Sequence, residues 1–270
     1  MADYLVRDFL KDAKDKLSDQ PVIADFIAAD LLKISLGDLP FYYQHLMVHQ
    51  DLANQWIKEY LAGKPYQYLT HQAYFFDLTF YVDENVLIPR PETEELVEWL
   101  LNLHHESKLK VLDLATGSGA IAVTVKKHRP NWDVTASDIS KEALEVARSN
   151  AKSNQVKINV VESDLFSNLN ERYDVIISNP PYIGQSEVSV MDQSVLNHEP
   201  KIALFAPDDG LYFYQKIYEE VANYLEPKGE LLMEFGYQQK AKLAAIYQTG
   251  QIEFKKDLSG HDRMLRWQND

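Results

Sequence analysis

The chain has 270 residues, 46% of them hydrophobic, with no cysteine and a formal net charge of −14. That length suits one large domain or two small ones, with apolar content ample for a core. The missing cysteines rule out disulfides and Cys-ligated zinc. An acidic surface argues against tight direct nucleic-acid binding, and no apolar run approaches membrane-spanning length. Met1-Ala2-Asp3-Tyr4 lacks the basic-then-apolar pattern of a signal peptide, so a cytoplasmic protein free of membranes is expected.

Positions 1 to about 70 carry helical periodicity. Leu5, Phe9, Ala13 and Leu17 recur every fourth residue, and Ile23, Phe26, Ile27, Leu31 and Ile34 form a second stripe ended by Gly37 and Pro40. Phe41 to His49 and Leu52 to Leu61 read as two further helices, followed by Gly63-Lys64-Pro65. The segment 1–72 is expected to be a small helical domain, either a docking module or a structural cap. His45 and His49 have the spacing of a helical metal pair, but Leu46 stands where a metalloprotease carries Glu. They read as surface histidines, and no metal is expected. Phe75, Phe76, Leu78, Phe80 and Tyr81 around Asp77 predict a β-hairpin, and 73–90 is read as the connection between domains. Pro89 and Pro91 stiffen the loop that holds Arg90, and Pro91 suits the first turn of a helix running from Glu92 to about Leu103. Arg90 and Glu92 on that loop could face a ligand or pair with neighbours.

From Lys110 strand and helix alternate. Strands are predicted over 111–114, 134–137, 158–161, 173–177, 231–235, 252–254 and 264–267, with helices over 120–127, 141–154, 211–225 and 238–248. Such alternation means a mostly parallel sheet with helices on both faces. The last two strands, with no helix between them, must be antiparallel neighbours. The catalytic domain is read as 91–270.

The first strand ends in Asp113 and runs into Ala115-Thr116-Gly117-Ser118-Gly119, a turn that lets backbone approach a ligand. The second ends in Asp138, which could accept both ribose hydroxyls of a nucleoside or could cap the helix after it. A dinucleotide fits these features, as does S-adenosyl-L-methionine. Asp113 favours the latter, because a carboxylate there suits a cationic amino-acid portion and repels a pyrophosphate. Asp164 and Phe166 follow the third strand and could give adenine a polar contact and an aromatic face, although Phe166 could equally be core.

Tyr173-Asp174-Val175-Ile176-Ile177 reads as a buried strand leading into Ser178-Asn179-Pro180-Pro181-Tyr182. The prolines fix φ and donate no N–H, so Asn179 sits on a stiff turn at the carboxyl end of a strand. Its side-chain oxygen and the Pro180 carbonyl are two adjacent acceptors, suited to a planar NH2 group. Tyr182 could pack against that group.

Together the Asp113–Gly119 turn, Asp138, Ser163-Asp164-Leu165-Phe166 and Asn179-Pro180-Pro181-Tyr182 resemble the PrmC/HemK glutamine methyltransferases. Leu87-Ile88-Pro89-Arg90-Pro91-Glu92-Thr93-Glu94 is similar to that family's interdomain signature, Gly63–Leu69 to the end of its helical domain, and Glu199-Pro200 with Ala203-Leu204 to the stretch after its catalytic turn. One departure is Ala115, where the family usually has the turn's first glycine. The resemblance implies a Rossmann-like S-adenosylmethionine-dependent methyltransferase fold, α/β with a seven-stranded mixed sheet, and a small N-terminal helical domain. It implies methylation of the Gln in the Gly-Gly-Gln motif of class-1 peptide chain release factors, by a monomer. Asn179, Pro180 and Tyr182 would be catalytic. Asp113, Ala115, Thr116, Gly117, Ser118, Gly119, Asp138, Asp164, Phe166 and Asn179 would hold the cofactor, and Asn179, Pro180, Pro181, Tyr182, Arg90 and Glu92 the substrate. Two other acceptors have comparable chemistry, a ribosomal-protein glutamine and the N6 amine of adenine in nucleic acid.

Overall fold

The structure, a computed structural model, describes residues 4–269, so the signal-peptide reading of Met1–Asp3 lies outside it. The chain divides into two compact units, Met1–Thr70 with Gln193–His198, and His71–Asp192 with Glu199–Asp270.

The first unit contains α1 (Val6–Lys16), α2 (Val22–Leu32), a 3-10 segment (Leu36–Tyr42), α3 (Gln50–Leu61) and α4 (Tyr66–Thr70), together with the short helix Gln193–His198. Its core is built by Val6, Phe9, Leu10 and Ala13 of α1 against Ala24, Ile27, Ala28 and Leu31 of α2. The helix expected over 41–49 is absent. The backbone there is used elsewhere: His45 and Tyr43 carbonyls accept from Val6 and Arg7 N–H, and Met47 N–H donates to the Tyr4 carbonyl. Bonds that run across to the start of the chain replace most of the i to i+4 ladder that a helix over 41–49 would need. His49 then has φ 53° at the start of α3, so His45 and His49 share no helix, and both are exposed.

The second unit opens with the hairpin β1 (Ala73–Phe75) and β2 (Leu78–Phe80). Then follow α5 (Pro91–Leu103), β3 (Lys110–Leu114), α6 (Ala120–His128), β4 (Asp133–Asp138), α7 (Lys141–Ser153), β5 (Asn159–Glu162), β6 (Tyr173–Ser178), the helix Tyr212–Tyr224, β7 (Leu225–Glu234), the helix Lys240–Ile246, β8 (Gln251–Lys256) and β9 (Asp262–Gln268). The seven strands β3–β9 form one sheet in the order β5-β4-β3-β6-β7-β9-β8. The first five pair in parallel, while β9 pairs antiparallel with both β7 and β8. This is the mixed sheet that the sequence predicts. Val111, Val175, Ile177 and Leu232 bury one face, and Leu112, Ile176, Leu231 and Met233 the other.

The register places the strand ends level. Leu114 lies beside both Ser137 and Ser178, Asp138 beside Glu162, and Ser178 beside Met233. The Ser178 hydroxyl donates to the Leu114 carbonyl at 2.6 Å, tying β6 to β3 at that edge. Strand order runs outward in opposite directions from β3 and β6. An open α/β sheet binds its ligands at such a switch point, outside the carboxyl ends of the strands.

Candidate active site

A cavity of about 330 Å³ opens at that point, within the range of small-molecule sites. Its wall includes Arg90, Thr93, Ala115, Thr116, Gly117, Ser118, Asp138, Asp164, Asn179, Pro180 and Pro181. Most of the residues singled out from the sequence therefore share one cavity. Asp113, Gly119, Phe166, Tyr182 and Glu92 are not on its wall.

The turn after β3 is braced from within. Asp113 is fully buried, and its Oδ2 accepts from the Thr116 hydroxyl and from Ala122 N–H at 3.0 Å. Its Oδ1 has no partner among the described residues. Burial pushes the Asp113 carboxyl up to about 7, against the two hydrogen bonds that pull it down. Gly119, with φ 80°, is needed for packing: a Cβ there would come within 3.0 Å of the Ala147 Cβ on α7. Gly117 has φ 53° and open space where a Cβ would stand, so its side of the turn faces the cavity. Ala115 takes φ 61° despite its methyl group.

Asp138 is largely buried. Its Oδ2 accepts from Gly117 N–H at 2.8 Å and its Oδ1 from Ser140 N–H at 2.9 Å. Burial raises its carboxyl, and these same bonds oppose the rise. The helix cap is Ser140, whose hydroxyl accepts from Ala143 N–H at 3.1 Å. Each Asp138 oxygen keeps a lone pair for a ligand hydroxyl.

Phe166 corrects the sequence reading. It is fully buried and stacks on Tyr224 at 4.6 Å between centroids, so it is core and offers no face to a ligand. The cavity's apolar surface there comes from Leu165, with φ 44°, and from Ile139, half exposed beside Asp138. Sequence reasoning passed over both. The one available signal was an apolar residue directly after each strand-end acid, Asp138-Ile139 and Asp164-Leu165.

Arg90 lies on the wall and also pairs with Glu199 at 2.5 Å, whose other oxygen accepts from Ile88 N–H. A buried carboxylate thus fixes one edge of the guanidinium, while the residue still borders the cavity. Glu92, in the first turn of α5, is half-buried off the cavity.

Asn179 follows the last residue of β6. Its Nδ2 donates to Thr93 Oγ1 at 3.0 Å, and Thr93 donates to Glu234 Oε2 at 2.6 Å. Neither Asn179 Oδ1 nor the Pro180 carbonyl accepts a hydrogen bond among the described residues. The turn is held from behind. Gln239 Nε2 donates to the carbonyls of Tyr182 and Gly210, while its Oε1 accepts from Gly236 N–H. The Tyr182 hydroxyl lies 3.4 Å from Glu234 Oε1, and burial pushes it far up. Thr93 and Glu234 were not recognised as functional from the sequence, since each looks ordinary on its own helix or strand.

Comparison with known proteins gives the family of the chain. The chain is 41% identical over 247 residues to the release factor glutamine methyltransferase of Streptococcus pneumoniae, covering 89% of this chain and 88% of that protein. The chain belongs to the release factor glutamine methyltransferase family. The family member from Lactococcus lactis is 46% identical over 75% of this chain and 77% of its own length. Residues 93–201 also match the methyltransferase small domain, the span that holds the turn, Asp138, Asp164 and Asn179. Two solved structures share the fold with this glutamine methyltransferase relative. A Pyrococcus furiosus methyltransferase matches with TM-score 0.55 at 19% identity, over 72% of this chain and 89% of that one. A T. thermophilus 16S rRNA methyltransferase matches with TM-score 0.52 at 16% identity, over 74% and 50%.

Proposed function

We propose that this protein transfers the methyl group of S-adenosylmethionine to the side-chain amide nitrogen of a release-factor glutamine, the Gln of the class-1 Gly-Gly-Gln motif. The observation that carries this reading is the pair of unused acceptors, Asn179 Oδ1 and the Pro180 carbonyl, at the wall of a cavity shared with the Gly117 turn and Asp138. The residues present fit the cofactor. Gly117 and Ser118 offer backbone, Asp138 spare lone pairs for ribose hydroxyls, Asp164 a polar contact, and Ile139 with Leu165 an apolar surface for adenine. Asp113, fully buried off the cavity wall, braces the turn through Thr116 and Ala122.

When bound, S-adenosylmethionine supplies an electrophilic methyl carbon on a sulfonium. An amide nitrogen is a weak nucleophile, because its lone pair is delocalised into the carbonyl. The protein must therefore aim it rather than rely on its basicity. Asn179 Oδ1 and the Pro180 carbonyl accept its two hydrogens, which orients the nitrogen and stabilises the positive charge that grows on its N–H bonds. As the methyl–sulfur bond breaks and the methyl–nitrogen bond forms, the thioether leaves neutral, and one of those two protons is then released to water. Tyr182 is assigned to support the turn from behind, through Glu234 and Gln239, instead of packing on the substrate.

The same reading has a monomer acting in the cytoplasm, without tight direct nucleic-acid binding or membrane attachment. The net charge of −14 supports the former. Among the described residues no helix is long and apolar enough to cross a membrane. The helical unit is assigned to docking of the factor, with 73–90 as connection and the remainder as catalytic domain. Mass spectrometry of a class-1 release factor, incubated with this protein and isotope-labelled cofactor, tests the proposal. One labelled methyl on the Gly-Gly-Gln glutamine is expected. An unmodified factor beside a labelled ribosomal protein or adenine would replace the reading.

A further inference from the structure

The Asn179 side chain has two ends of nearly equal shape: the oxygen accepts and the nitrogen donates. Which end faces the cavity decides what the residue can do, and its own shape does not choose. The choice falls to Thr93, whose single hydroxyl proton can point only one way. Ionised Glu234 can only accept, so it takes that proton at 2.6 Å. Thr93 then has only lone pairs left for Asn179, and the NH2 end must turn inward to meet them at 3.0 Å. The oxygen is thereby left facing the cavity.

We propose that Thr93 and Glu234 are positioning residues for methyl transfer: the Glu234 carboxylate, acting through the Thr93 hydroxyl, makes Asn179 present its oxygen to the substrate amide. The proposal rests on the reading of Asn179 as the acceptor of that amide. The three side chains come from three elements, the loop after β6, the start of α5 and the end of β7, and the level strand ends bring them together. Thr93 and Glu234 are both buried, so water does not compete for either hydrogen bond.

The polarity of the chain depends on one proton. A protonated Glu234 donates to Thr93, whose own proton then points at Asn179. The amide is satisfied in that case with its oxygen turned inward, and it meets the substrate NH2 with donors instead of acceptors. The groups facing Glu234 set where this happens. Burial pushes its carboxyl up to about 7. The Thr93 hydroxyl, the Arg263 guanidinium on β9 and the Tyr182 hydroxyl pull it down, while Glu92 on α5 pushes it up. Tyr214 donates to the Glu234 backbone carbonyl, and the nearby Glu234 carboxyl helps to hold the Tyr214 hydroxyl protonated.

The test compares Thr93→Val, Thr93→Ser and Glu234→Gln with wild type. Thr93→Val should lower kcat by about 10²-fold, the scale of a misaimed reacting group. KM for the release factor and cofactor affinity by calorimetry should stay within about twofold. Thr93→Ser restores the hydroxyl and should recover most of the rate. The wild-type kcat should fall as pH drops through about 7, and Glu234→Gln should lose that acid limb. A second readout needs no turnover. In the full-length, ligand-free protein the side-chain NH2 resonances of Asn179, assigned by their loss in Asn179→Ala, should titrate near pH 7 in wild type and not in Glu234→Gln. Wild-type kcat in Thr93→Val, a Thr93→Ser variant as slow as Thr93→Val, or Asn179 resonances that hold still across the neutral range would each overturn the proposal. A wild-type protein that methylates no release factor would count against the function, and the resonances would still decide the relay.

Discussion

Ala115 holds a left-handed backbone, φ 61°, at the point where the chain leaves β3, and an L-residue with a Cβ pays about 1–2 kcal/mol for that conformation. Glycine removes the clash but has more freedom to lose on folding, roughly 0.4–1 kcal/mol. The balance favours glycine, so Ala115→Gly should raise Tm by about 1–3 °C in calorimetry. A lower Tm would mean that the methyl group packs usefully. At Asn179 the expected effects are on rate. Asn179→Ala removes an acceptor whose value grows as the amide nitrogen becomes nucleophilic, so kcat should fall by about 10²–10³-fold with cofactor affinity nearly unchanged. Asn179→Asp keeps the shape and adds a charge beside the position proposed for the sulfonium. It should hold cofactor at least as well and remain slow, as single-turnover rates beside calorimetric affinities would show. Wild-type turnover in Asn179→Ala would reduce the Pro-Pro turn to architecture. Both residues are visible in the sequence because their motifs are local. Thr93 and Glu234 are 141 positions apart, and only the folded sheet edge brings them together.

The elements of the second unit were legible because a parallel sheet writes itself as short apolar runs between amphipathic helices. Val111–Leu114 and Val175–Ile177 are buried on both faces and could hardly be anything else. Two misreadings have physical causes. The 41–49 segment has apolar spacing that suits a helix, but its backbone bonds to α1 and the tertiary partner prevails. Phe166 sits one residue from a cavity-lining position, and a left-handed Leu165 turns the next side chain into the core, onto Tyr224. Periodicity cannot register a single residue with positive φ. The helical unit yields its own prediction. Phe41 and Leu46 are 78% and 55% exposed there, two of several large apolar side chains that this unit leaves at its surface. If that surface grips the factor, replacing both with Ser should raise KM for a whole release factor about tenfold or more and leave a short Gly-Gly-Gln peptide unaffected. Equal rates on both substrates in steady-state assays would assign the unit a structural role only.

At the scale of the whole molecule, buried carboxyls govern the response to pH. Burial raises Asp113 and Glu234 to about 7, from ordinary values of 3.8 and 4.5. The folded state thus binds those protons more tightly than the unfolded chain does. The stability they contribute is whole below their ordinary values and is lost as pH rises through about 7. Glu230 acts in the opposite sense. Despite burial that would push it up, two hydrogen bonds from Arg266 and the His104 ring 3.5 Å away hold it down at about 2. Its contribution is present above 4.5 and is lost only as pH falls toward 2. The part of the stability set by these three groups should therefore peak at about pH 4. Between about pH 5 and pH 8 the loss should amount to a few kcal/mol, or roughly 5–10 °C in Tm by circular dichroism. A flat profile would show that both carboxyls ionise without cost, and Glu234→Gln should remove part of the slope. The Glu234 proton thus has a practical side. Folding favours keeping it, and presenting the Asn179 oxygen requires losing it. A purified preparation should keep longest in a mildly acidic buffer in which it is nearly idle, and its shelf life and its working rate should call for different bottles.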